Sequence, residues 1–146
     1  MPASSRIRWF DTLGLDDVPQ VGGKTASLAE LHRLLADGPV TAPDGFAVTA
    51  AAYREALTAA GAWQPLRDLL EDLDVRDVSA LARAAAAARA LVHEATGEAG
   101  LRTAIVTAYR RLSTQNGGRL SVAVRSSATA EDLPTATISA SPCRWR

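Results

Sequence analysis

Gly22 and Gly23 stand directly before Lys24 and a leucine series, Leu28, Leu31, Leu34 and Leu35, that recurs at helical spacing. Two residues without Cβ atoms at the mouth of an amphipathic helix constrain the chain more than any other feature. The helix must begin there, and its first-turn N–H groups, which have no acceptor within the helix, become open to close approach. The pattern predicts a helix over 24–36, with the four leucines in the core, stopped by Asp37, Gly38 and Pro39. Upstream, the apolar run 7–10 predicts a strand and 15–20 a loop. Downstream, Pro43, Asp44 and Gly45 predict a turn, 46–48 a short strand, and 50–60 a helix capped by Thr49 and closed by Gly61.

The second half reads as helical. A weaker segment covers 63–73, and Ser79 is placed to cap an alanine-rich helix over 80–95, with Leu81, Leu91 and Val92 inward and Arg83 and Arg89 in water. Residues 98–115 repeat at helix period and stop at Asn116, Gly117 and Gly118. The alternating stretch 120–124 predicts a strand that delivers Arg125, Ser126 and Ser127 at its C-terminal end. The class is mixed α/β, rich in helix, with polar motifs at element ends, where binding residues are commonly placed.

At 146 residues, 47% hydrophobic and 22% charged, the chain fits one folded domain. Sixteen basic and sixteen acidic residues cancel, and the arginines are scattered among acids, which argues against nucleic acid as a partner. Cys143 is the single cysteine, and His32 and His93 are far apart, so neither a disulfide nor a metal-ligand spacing appears. A reducing, cytoplasmic setting is the expectation, with no apolar leader and no membrane span. Of the sixteen basic residues only Lys24 is a lysine. A compact ammonium kept where every other cation has become a planar guanidinium invites a functional question.

Two motifs could carry chemistry. In VGGKTASLAEL, the glycines let backbone N–H groups approach an anion at the helix start, where the dipole favours negative charge and Lys24 adds a full positive one. A phosphate loop of the GxxxxGK type would need glycine at the position held by Val18, so that reading fails; a glycine turn opening a helix with a solvated lysine stays open. In AVRSSATAEDLPTA, Arg125 can grip phosphate oxygens through two parallel N–H bonds, beside serine hydroxyls. Its alternative is an arginine bridging Glu131 or Asp132.

Taken together, VGGKTASLAEL, VTAPDGFAVTAAAYR, AIVTAYRRL and VAVRSSATAEDLPTA, in that order and spacing, resemble the N-terminal nucleotide-binding domain of the phosphoenolpyruvate synthases, shared with pyruvate phosphate dikinases and rifampicin phosphotransferases. The resemblance covers residues 9–136. It implies the helix-rich first subdomain of an ATP-grasp-like fold, with Lys24 and Arg125 as the ATP-binding lysine and arginine, and with no catalytic residue carried over. The expected organisation is a partial ATP-binding domain over 1–136 and a divergent, disordered tail over 137–146, where a glycine-containing loop would follow in the family. Magnesium would accompany ATP, but its ligands, like the phosphorylated histidine and the pyruvate domain, match nothing in this sequence. The implied function is the ATP-binding part of a phosphotransferase that makes phosphoenolpyruvate from pyruvate, in truncated form, with a C-terminal part missing or separately encoded. A rifampicin phosphotransferase fragment and a non-catalytic binding module are the alternatives.

Overall fold

The computed structural model describes residues 5–40, 42–71, 73–74 and 76–129. The expectations for Glu131, Asp132 and the 137–146 segment lie outside them. The order is β1 (Ile7–Trp9), α1 (Val18–Val21), α2 (Gly23–Leu34), β2 (Phe46–Val48), α3 (Ala50–Ala59), α4 (Trp63–Leu70), α5 (Val78–Thr96) and α6 (Ala99–Gln115), with single 3-10 turns at Phe10–Thr12 and Leu15–Asp17. Helix predominates, as expected. Among the described residues β1 and β2 form one antiparallel pair, with Ile7 opposite Val48, Arg8 opposite Ala47 and Trp9 opposite Phe46.

The core of α2 differs from its sequence reading. Ala26 and Ala29 are wholly buried, whereas Leu31 and Leu34 are 46% and 71% exposed. The two alanines let α2 lie close against the Phe10–Thr12 turn, over a cluster of Phe10, Leu13, Val21 and Ala47, with Leu28 packed at its margin. The leucine rows flank this contact. Two further clusters join the remaining helices. Ala52 and Ala56 of α3 meet Leu101 and Ile105 of α6, while Leu57 and Ala62 meet Ala95 and Val92 of α5.

Local side chains start these helices. The Thr49 hydroxyl accepts from the Ala52 N–H at 3.2 Å and donates to the Ser5 carbonyl, so it caps α3 as expected and ties it to the strand leading in. Asp77, not Ser79, caps α5: its carboxylate accepts from the Ala80 N–H at 2.9 Å, the helix starts at Val78, and Ser79 falls inside it. A carboxylate at that end also gains from the helix dipole. Leu81, expected inward, is 40% exposed because α5 buries its alanine positions Ala84 and Ala95 instead. Glu98 caps α6, accepting from Gly100 and Leu101 at 2.7 Å each. The Leu101 and Gly100 amides hold its carboxyl below the ordinary value of 4.5 against an opposing desolvation, and Arg6, at 3.3 Å, adds to the lowering.

Residues 120–124 do not form the expected strand. A strand exists through its ladder, and no described segment pairs with this one; Val122 and Val124 are 46% and 75% exposed. The alternation that suggested a strand is present without a neighbouring strand among the described residues.

Candidate functional site

The glycine pair is held from its N-terminal side. Residues 15–20, expected as loop, form the Leu15–Asp17 turn and α1, with Pro19 in the first turn of that helix, where its missing N–H costs nothing. Arg8 of β1 pins the segment. Its guanidinium donates to the Thr12 carbonyl at 2.8 Å and to Gln20 Oε1 at 3.1 Å, and lies 3.6 Å from the Asp17 carboxylate. Asp17 also accepts from Gln20 Nε2 and from the Gly14 N–H. The chain then turns at Gly22, with φ +82°, a conformation L side chains rarely adopt, and enters α2 at Gly23.

The arginine motif arrives from the end of α6. There the Gly118 N–H bonds to the Ser113 carbonyl at 2.8 Å and the Gly117 N–H to Thr114 at 3.3 Å, which together make a Schellman closure with both glycines at positive φ. The Ser113 hydroxyl donates to the Gly118 carbonyl, and the Tyr109 hydroxyl donates to the Leu120 carbonyl at 2.9 Å, laying the outgoing chain along α6.

That chain meets the start of α2. The Ser127 hydroxyl accepts from the Thr25 N–H at 3.2 Å, across 102 residues of sequence. A Cβ on Gly22 would fall 2.3 Å from Ser127 Oγ and 2.9 Å from the Ala128 carbonyl oxygen, so the absence of that carbon is what admits the segment. Lys24 is bonded directly to Thr25, and Arg125 lies two residues from Ser127, within about 7 Å of chain. Both side chains are exposed. The structure therefore brings the two sequence motifs together at the start of α2, and an ammonium and a guanidinium are the kinds of donor that suit phosphate oxygens.

The sequence did not reveal the joint itself. Ser126 and Ser127 were visible as hydroxyls, but nothing in the pattern says that Ser127 faces Gly22; the available signal was a glycine at a helix start where a capping side chain is usual. Other features lie elsewhere. A hollow of ≈ 390 Å³ between α3, α4 and α5, bordered by Ala56, Pro65, Leu91 and Glu94, is built from other elements. His32 braces α2 against the loop before β2, with Nδ1 3.0 Å from the Ala42 carbonyl and Nε2 3.7 Å from Asp44, and His93 is exposed on α5.

Comparison with known proteins decides the family. Residues 18–139 match the family described as pyruvate phosphate dikinase, AMP/ATP-binding domain. The chain belongs to that family. Phosphoenolpyruvate synthase of Synechocystis is 45% identical over 136 residues, 90% of this chain and 17% of the relative, and that of Escherichia coli K12 is 42% identical over 135 residues, 92% and 17%. The probable phosphoenolpyruvate synthase of Methanocaldococcus jannaschii is 46% identical over 132 residues, 90% and 11%. The chain thus spans about a sixth of the length of the first two relatives, and both motifs lie within the matched residues. The family's description as an AMP/ATP-binding domain supports ATP as its ligand. Among the described residues no group of three or more His, Cys, Asp or Glu side chains is placed to hold a metal ion. No described helix is long and apolar enough to cross a membrane.

Proposed function

We propose that this chain is the ATP-binding part of a phosphoenolpyruvate synthase-like phosphotransferase, and that Lys24 and Arg125 hold phosphate groups of ATP at the start of α2. The observation that carries this is the Ser127–Thr25 hydrogen bond in the Gly22 notch, which sets the lysine and arginine motifs side by side. Phosphoryl transfer depends mainly on positioning and on stabilising charge, so two cations on adjoining segments are the parts expected of its nucleotide site. Lys24 supplies a flexible point charge, and Arg125 a directional fork able to orient one phosphate by two bonds.

In this reading the subdomain is ATP-grasp-like, the setting is cytoplasmic, and the reaction of the whole enzyme takes pyruvate, ATP and water to phosphoenolpyruvate, AMP and phosphate through a phosphohistidine. The histidine, the magnesium ligands and the pyruvate site belong, in this proposal, to parts of such an enzyme outside the matched residues.

The test is a titration of the chain with ATP, followed through the amide signals of Lys24 and Arg125. Both should shift together, and the response should fall in Lys24→Ala and in Arg125→Ala. An ATP response that leaves both sites unmoved, or that survives both substitutions, defeats the assignment.

A further inference from the structure

The geometry points to Ser127 as the positioning residue of the phosphate site: its hydroxyl fixes Arg125 relative to Lys24 by capping α2 from the far end of the chain. The inference rests on the nucleotide reading above. Helices are ordinarily capped by a Ser, Thr, Asp or Asn at the N-cap position itself. Here that position is Gly22, which has no side chain to offer, and the Thr25 N–H is taken by Ser127 Oγ at 3.2 Å.

The substitution of a remote cap for a local one has a geometric reason. Any side chain at position 22 would collide with Ser127 Oγ and with the Ala128 carbonyl, at 2.3 and 2.9 Å from its Cβ, and the backbone there is at φ +82°. The local cap is given up so that the Ser127–Ala128 backbone can sit on the helix start. The residues just before it, 120–124, pair with no described strand, so no ladder among the described residues holds Arg125 in place. The described tether nearest Arg125 on its N-terminal side is the Tyr109 hydroxyl on the Leu120 carbonyl, five residues away, whereas Ser127 is two residues away.

A guanidinium grips a phosphate well only when its approach is already fixed, because ordering it at the moment of binding costs affinity. Ser127 needs no contact with the nucleotide to matter. It acts through Arg125, and that makes it distinguishable from a ligand-touching residue and from one that merely stabilises the fold.

The experiment is an ATP titration of the full chain by nuclear magnetic resonance, with Ser127→Ala, Ser127→Thr, Arg125→Ala and the Ser127→Ala/Arg125→Ala double variant, alongside amide exchange at Thr25. Ser127→Ala should speed Thr25 exchange and weaken ATP binding, each by about three- to tenfold, the worth of one hydrogen bond. Ser127→Thr, which keeps the hydroxyl, should restore both. In the Arg125→Ala background, Ser127→Ala should weaken binding no further. Additive losses, or a Ser127→Ala affinity equal to that of the unsubstituted chain, overturn the positioning role while leaving the nucleotide reading intact. An unsubstituted chain whose Lys24 and Arg125 signals ignore ATP overturns the nucleotide reading and the positioning role with it, whatever Thr25 shows.

Discussion

Gly22 is the residue on which the two motifs depend, and it is constrained twice over, by a backbone at φ +82° and by the Ser127 oxygen 2.3 Å from where a Cβ would stand. Gly22→Ala should cost about 1–3 kcal/mol, since a non-glycine residue held in such a region and a displaced neighbour each carry a penalty of that order. Urea denaturation measures it; a loss below half a kcal/mol would mean that the segment simply moves aside. Glu98 gives a pH-dependent case. Its carboxyl is held below 4.5 by the Leu101 and Gly100 amides, with Arg6 assisting, so its contribution to stability is complete above 4.5 and is lost as the pH falls through its lowered native value. Glu98→Gln should therefore flatten the acid side of the stability curve below about pH 4.5 and leave its neutral side parallel to that of the unsubstituted chain. Parallel curves throughout the acid range would show that the cap does not bind protons differently on unfolding.

Elements were legible in the sequence wherever a local rule decides them. Thr49 ahead of an alanine run gave the start of α3, the Gly117–Gly118 pair gave the end of α6, and the glycines before Lys24 gave the start of α2 to within a residue. What failed depends on neighbours that periodicity does not see. Leu31, Leu34 and Leu81 recur at helical spacing, yet the faces that pack carry Ala26, Ala29, Ala84 and Ala95, because close helix contacts prefer the smaller side chain. Residues 120–124 alternate like a strand but join no ladder among the described residues. At α5 two cap residues, Asp77 and Ser79, competed in one turn, and the carboxylate two residues earlier took the role. Asp77→Ala should destabilise the chain by about 1 kcal/mol and Ser79→Ala by less than about 0.5 kcal/mol, read as the difference in thermal unfolding. The reverse order would restore the sequence-based assignment.

At the scale of the whole fold, small residues dominate the interior: among the described residues nine of the fifteen buried hydrophobic positions are alanines, and Leu13 and Leu57 are the large side chains buried to under 2% exposure. The site was legible as two motifs, but their meeting was not, since it is made by Ser127 reaching Thr25 across nearly the full described chain. Lys24 and Arg125 both face water, and this sets how strongly the chain can hold a nucleotide. A pair of unit charges at 4 Å is worth about 1 kcal/mol in water, against about 4 kcal/mol at the lower effective dielectric of a partly covered site. Two exposed cations should thus hold ATP weakly, in the millimolar range, which corresponds to about 4 kcal/mol of binding free energy. The reaction proposed for the whole enzyme asks for more than grip: releasing AMP breaks the bond between the α- and β-phosphates, so a phosphoryl carrier must face the β-phosphate and an acceptor site must be reached by that carrier. Neither histidine offers the first, since His32 sits in the last turn of α2, engaged with Ala42 and Asp44, and His93 lies on α5. Purified chain given ATP, magnesium and pyruvate should accordingly bind ATP in the millimolar range and release neither AMP nor phosphoenolpyruvate above background. Turnover that disappears in Lys24→Ala or Arg125→Ala would show that these 146 residues suffice for the reaction, and would require one of the two histidines, or a direct transfer from ATP to pyruvate, to take the carrier's place.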